Sequence, residues 1–96
     1  MVQINWTNAA LDELAMIRDY SLGVAPAYAE RLIERLIART DMLVNFPFAG
    51  RMVPEYQDAA VRELPEGNYR IIYEIINPTR VDITHIHPAA RPLPES

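Results

Sequence analysis

Asn68-Tyr69-Arg70-Ile71-Ile72-Tyr73-Glu74-Ile75-Ile76, then Asn77-Pro78-Thr79, then Val81-Asp82-Ile83-Thr84-His85-Ile86-His87, is the stretch that decides the fold. Tyr69, Ile71, Tyr73 and Ile75 alternate with Arg70, Ile72, Glu74 and Ile76, which is the period of a strand and not of a helix. Asn77-Pro78-Thr79 is turn chemistry, because asparagine bonds its own backbone and proline presets the bend. Val81 and Ile83 resume the alternation, and Ile86 falls one place out of phase. A bulge near Thr84-His85 restores it. Upstream, Pro65-Glu66-Gly67-Asn68 is another turn and residues 60–64 supply a further strand, so the C-terminal half predicts strands joined by hairpins.

Working outward, Val2, Ile4 and Trp6 alternate with Gln3 and Asn5, the mark of a short strand with one buried face. Thr7 offers a hydroxyl N-cap, Asp12 and Glu13 favour the helix dipole, and Leu11, Leu14, Ala15 and Ile17 form an apolar stripe running to about Tyr20. Gly23 suits a left-handed helix end and Pro26 the first turn of the next helix. From there Ala29, Leu32, Ile33, Leu36, Ile37 and Leu43 recur at helical spacing until Pro47, about five turns on. So short a connection makes the two helices antiparallel, with a shared stripe that needs a sheet to lie on. The expected class is α+β: an antiparallel β-sheet meander with an N-terminal strand and a two-helix hairpin on one face, in the order β-α-α-β-β-β. Residues 47–54 have the proline and glycine density of a loop, which Phe46, Phe48 and Met52 are placed to pin to the core. The tail, residues 89–96, is proline-rich and should be extended, either free or bound by a partner.

Ninety-six residues make one domain, spanning 1–96. Half are hydrophobic, well above the range of disordered chains, so the chain should fold. Without cysteine there is neither a disulfide framework nor a thiolate metal site. No signal segment or apolar run of membrane-spanning length stands out, which reads as a cytoplasmic protein with no membrane partner. All nine basic residues are arginine against thirteen acidic ones, and a net charge of -4 opposes broad attraction to nucleic acid. The arginine bias fits a GC-rich genome as well as bidentate recognition.

No glycine-rich phosphate loop, HExxH or nucleophile elbow is present, and no cofactor is expected. His85 and His87 share a strand face as a metal pair would, but no cysteine or acidic cluster completes a ligand set, so no metal is expected. His87 can serve as a general base beside Arg91, with Arg70 on the neighbouring strand, a set suited to phosphodiester transesterification. The alternative is that both histidines pack at a strand end while Arg70 pairs with Glu74 or Asp82. Arg31, Arg35 and Arg39 recur every four residues as a basic stripe, or as a solvated mixed-charge face with Glu30 and Glu34. Tyr69 and Tyr73 can stack on bases, but beneath two helices they and Trp6 read as core.

The segments Ile4-Asn5-Trp6-Thr7, Phe46-Pro47-Phe48-Ala49-Gly50-Arg51, Val61-Arg62-Glu63-Leu64, Asn68-Tyr69-Arg70-Ile71-Ile72-Tyr73-Glu74-Ile75 and Val81-Asp82-Ile83-Thr84-His85-Ile86-His87 with Ala90-Arg91 together resemble the RelE/ParE toxin superfamily, ParE-type toxins above all. The resemblance spans nearly the whole chain and lies in the order of segments. It implies the toxin of a type II toxin–antitoxin, or plasmid stabilisation, system, wrapped by a cognate ParD- or RelB-like antitoxin, with no sequence-specific DNA binding by the toxin alone. ParE-type members poison DNA gyrase without known hydrolytic chemistry, whereas RelE-type members cut messenger RNA on the ribosome using a basic cluster and a C-terminal tyrosine or histidine. Arg70 and Arg91 match basic positions, but lysine is absent, the last tyrosine is Tyr73, and His87 is left as sole base. The expectation is therefore a gyrase inhibitor without catalysis, in which Arg31, Arg35, Arg39, Arg51 and Arg62 meet target or antitoxin. The alternatives are a ribosome-dependent endonuclease using Arg70, His87 and Arg91, and an inactive homologue that only binds antitoxin.

Overall fold

In the computed structural model, which describes residues 1–94, the chain runs β1 (Gln3–Trp6), α1 (Asn8–Val24), α2 (Pro26–Arg39), a 3-10 turn (Asp41–Val44), β2 (Arg51–Met52), β3 (Val61–Glu66), β4 (Tyr69–Asn77) and β5 (Arg80–Pro88). Glu95 and Ser96, the end of the expected extended tail, lie outside the described residues. The five strands form one sheet in the order β1-β5-β4-β3-β2. β3, β4 and β5 are the antiparallel meander expected from the alternation. β1 adds to β5 in parallel, with Ile4 beside Val81, which makes the sheet mixed.

The bulge falls where the phase error placed it. Ile72 pairs with His85 and Tyr73 with Ile83, so Thr84 is the extra residue. Ile83 and Ile86 thereby both stay buried.

Thr7 caps α1 by accepting the Ala10 N–H at 3.2 Å. The helix continues through Gly23 to Val24, beyond the expected end near Tyr20. Its stop is Ala25, whose φ of -147° needs no glycine, with Pro26 opening α2. α2 ends at Arg39, short of Pro47, because the Thr40 hydroxyl donates to the Ile37 carbonyl and the chain tightens into the 3-10 turn. Leu43 remains fully buried, so the apolar spacing survives the change of helix type.

Ala10, Leu14, Leu32, Leu36 and Leu43 pack against Leu64, Ile71, Tyr73, Val81, Ile83 and Ile86 as the main core. Each such aliphatic side chain contributes roughly 1.5–3 kcal/mol when fully buried. Tyr73 is core; Trp6 and Tyr69 sit partly buried at its margin. The other sheet face carries a smaller cluster of Val53, Ile72 and Leu93, edged by Tyr56 and Val61. Leu93 thus brings the tail onto the chain's own sheet. Phe46 and Phe48 do not pin the loop: they are 65% and 61% exposed, and Met52 is exposed as well. Val53 and the buried Gly50 anchor that segment instead. Among the described residues no helix is long and apolar enough to cross a membrane.

Candidate functional site

Because Ile71 and Tyr73 point to the helices, Arg70 and Ile72 point to the opposite face. There Arg70 meets two carboxylates. Its Nε donates to Glu63 Oε1 at 2.6 Å, and its two terminal nitrogens donate to the two oxygens of Glu55, each at 2.8 Å. Glu63 lies opposite Arg51 on β2, whose Nε donates to Glu63 Oε2 at 2.6 Å. Glu55 Oε2 also accepts the Leu93 N–H at 2.9 Å, which fastens the tail. Two guanidinium ions thus neutralise two carboxylates, one of them, Glu63, only 1% exposed. The sequence expectation that Arg70 pairs with Glu74 or Asp82 is not met: Asp82 is taken by Arg80 and Asn5.

The electrostatics follow the geometry. The hydrogen bonds from Arg70, seconded by the Leu93 N–H, hold the Glu55 carboxyl down at about 2. Arg70 is pushed above its already high ordinary value, first by Glu55. With all three guanidinium nitrogens bonded to carboxylates, a phosphate would have to displace one of them. An open cleft of about 330 Å³ lies beside this network, lined by Arg51, Pro54, Glu55, Tyr69 and Arg70.

His87 stands directly opposite Arg70 in the β4–β5 register. Its Nε2 lies 3.1 Å from the Arg91 carbonyl oxygen. A carbonyl only accepts, so Nε2 is the donor in this contact. His85 Nδ1 lies 3.1 Å from Glu13 Oε1, the same oxygen that accepts the Ile86 N–H at 3.1 Å beyond the end of β1. A carboxylate only accepts, so Nδ1 is the donor in this contact. Glu13, Tyr56, His85, His87 and Leu93 line a second cleft of about 300 Å³. Of the three nuclease candidates, the register brings Arg70 and His87 side by side, while Arg91 joins only through its backbone. No hydrogen bond links the three side chains among the described residues.

Glu13, Glu55 and Glu63 were missed by sequence reasoning. Glu13 lies 72 residues from His85 and Glu55 fifteen from Arg70, so no local pattern links them. Glu63 is the exception, since a carboxylate on the inner strand of a hairpin beside an arginine-bearing neighbour is visible once register is known. Among the described residues no three His, Cys, Asp or Glu side chains converge as a metal site would require.

The other candidate arginines divide by their partners. Arg35 donates to the Tyr28 hydroxyl at 2.7 Å and stands 3.8 Å from Glu66, and Arg39 stands 3.7 Å from the same carboxylate. Glu30 is bonded by Arg18 of α1. Among the described residues Arg31, Arg62 and Arg91 form no ion pair. Arg62 donates to the Ala59 and Gly50 carbonyls and lies over the Phe48 ring.

Known proteins share this architecture. Toxin RelE2 of Caulobacter vibrioides is 35% identical over 91 residues, covering 95% of this chain and 99% of that protein. Of solved structures, the chromosomal ParDE system of P. aeruginosa aligns with a TM-score of 0.75 at 19% identity, over 92% of this chain and 96% of that one. The toxin–antitoxin complex RelBE2 of Mycobacterium tuberculosis aligns with a TM-score of 0.57 at 16% identity, over 91% and 96%. These two likenesses are of fold. A family profile described as the ParE toxin of the type II toxin–antitoxin system parDE matches residues 4–93. With segment order, fold and profile in agreement over nearly its whole length, the chain belongs to the ParE toxin family of type II toxin–antitoxin systems.

Proposed function

We propose that this toxin acts by binding a protein target, DNA gyrase, and is silenced by a cognate antitoxin. The observation that carries the reading is the state of Arg70. Cleavage of a phosphodiester needs a preorganised cation where charge develops, and the Arg70 guanidinium is spent on Glu55 and Glu63. The net charge of -4 also works against docking among ribosomal phosphates. Antitoxin binding is supported by the two structural neighbours, both described as toxin–antitoxin systems. A groove of about 610 Å³ lined by Met16, Ile17, Tyr20, Tyr69 and Arg91 offers apolar walls and one cation to an antitoxin segment.

The deciding experiment is induction without antitoxin, reading the DNA-damage response and ribosome-bound messenger cleavage in the same cells. Damage and filamentation without cleavage are expected; codon-positioned cleavage without damage would sink the gyrase reading.

A ribosome-dependent nuclease is the second reading, favoured by the opposite placement of Arg70 and His87 and by the Glu13-oriented His85. It predicts that His85→Ala combined with His87→Ala abolishes growth arrest while leaving the fold intact. Absence of any growth effect from the wild-type chain would instead leave an antitoxin-binding role alone.

A further inference from the structure

Tyr73 rises from β4 through the main core, and its hydroxyl leaves the core on the side of the loop after the 3-10 turn. It donates to the Pro47 carbonyl at 2.7 Å and accepts the Gly50 N–H at 2.9 Å. The Phe46 N–H bonds the Met42 carbonyl and the Ala49 N–H bonds the Phe46 carbonyl. A Cβ at residue 50 would fall 2.6 Å from the Glu63 carbonyl and from the Tyr73 hydroxyl, so glycine alone lets the loop lie this close. The loop is fastened from beneath at both ends.

What it presents is not polar. Phe46 and Phe48 stand mostly in water, and with Met42, Pro47 and Ala49 they bound a shallow apolar saddle of about 420 Å³. Single exposed hydrophobes are ordinary; two phenylalanines on a rigidly held loop are a prepaid interface, because the ordering cost of binding has been met in advance. Two cations flank them, Arg62 without an ion pair among the described residues and Arg39 3.7 Å from Glu66. The Arg62 guanidinium carbon is 5.2 Å from the Phe48 ring centroid and Arg39 Nη1 is 2.7 Å from Met42 Sδ. Within residues 41–50 Asp41 is the one carboxylate.

We infer that the Phe46–Pro47–Phe48 ridge is the surface by which the chain engages its target, a folded protein offering an apolar slot for two aromatic rings rimmed by carboxylates. This rests on the reading that the target is a protein. A second copy is a poor occupant, since the apolar groove by Tyr20 and Tyr69 carries Arg91 and would set cation against cation. The ridge shares no lining residue with that groove, so the two surfaces can be tested apart.

The test is Phe46→Ser with Phe48→Ser, induced in cells without antitoxin, with thermal melting and sedimentation of the purified full chain and gyrase supercoiling assayed beside it. The expected result is wild-type growth arrest, at least a 100-fold gain in colony recovery for the double variant, and an unchanged melting temperature. Phe46→Ser alone, a substitution on an exposed ring, should give an intermediate gain and serves if the double variant fails to fold. Arrest by the variants equal to wild type overturns the inference, as does a wild-type chain that arrests nothing. A wild-type dimer dissolved by the substitutions also overturns it, because the occupant would then be a second copy. If the variants lose arrest while purified wild-type toxin leaves supercoiling untouched, the ridge stands and gyrase is the wrong target.

Discussion

The two faces of the sheet are held by different physics. Toward the helices, one cluster joins side chains from both helices and all the long strands, from Val2 to Ile86. On the other face, among the described residues, Val53, Ile72 and Leu93 make up the buried hydrophobic cluster, and the space beside them is occupied by Arg51, Glu55, Glu63 and Arg70. Hydrocarbon packing is non-directional and accepts many neighbours. An ion network is neutral in one arrangement only, and removing one member costs more than the intact network adds. The covered face therefore supplies stability, while the open face supplies a fixed charge pattern beside two clefts.

Substitutions can break this contrast in graded steps. The largest loss is expected from Leu36→Ala, a fully buried side chain between helix and sheet, at about 3–5 kcal/mol in urea unfolding. A loss much below that would mean the helices fit loosely. Arg70→Met should cost about 3 kcal/mol, because Glu63 keeps its charge with one partner gone. Adding Glu63→Leu should restore part of it. If Arg70→Met proves nearly neutral, the open face is not organised by its charges.

Tyr73→Phe bears on both faces, since the ring lies in the main core and the hydroxyl serves the loop. It should cost about 1–3 kcal/mol by stranding a buried amide and a carbonyl. Hydrogen exchange at Gly50 should rise more than at Ile83, and equal acceleration would show that the hydroxyl does not hold the loop.

The smallest effect is expected from Glu55→Gln, and it is a pH effect. Arg70 holds the Glu55 carboxyl at about 2 against 4.5 ordinarily. A depressed carboxyl stabilises the fold above its unfolded value and loses that contribution as pH falls through its folded one. The wild type should exceed the variant in stability at neutral pH, with the gap closing between pH 4.5 and 2. A gap that stays constant over that window would show that Glu55 contributes nothing as an anion.

The layers of this fold were legible in the sequence because they rest on periodicity. The alternation over residues 69–76, the phase slip at Thr84 and the Thr7 cap all express local geometry, and each element formed accordingly. Helix ends are less legible, since Gly23 is tolerated within α1 and Thr40 ends α2 by a side-chain bond that composition does not announce. Hydrophobicity alone makes Phe46, Phe48 and Met52 look like anchors, yet all three are exposed. The real anchor is a tyrosine hydroxyl 23 residues downstream of the glycine that it bonds. The partners of Arg70 were illegible for the same reason: Glu55 comes from a connector whose path no period describes.

The parallel pairing of β1 with β5 bears on how the toxin comes into being. The Asn5 amide reaches Asp82 across 77 residues of sequence, and Thr7 N–H bonds Ile83 across nearly the same span. During synthesis the first strand therefore has no strand partner until residues 80–83 have left the ribosome, and a closure of such long range forms late in folding. The sheet of this toxin is thus completed only once residues 80–83 are available to its first strand, so a chain interrupted before them would lack the β1 edge altogether.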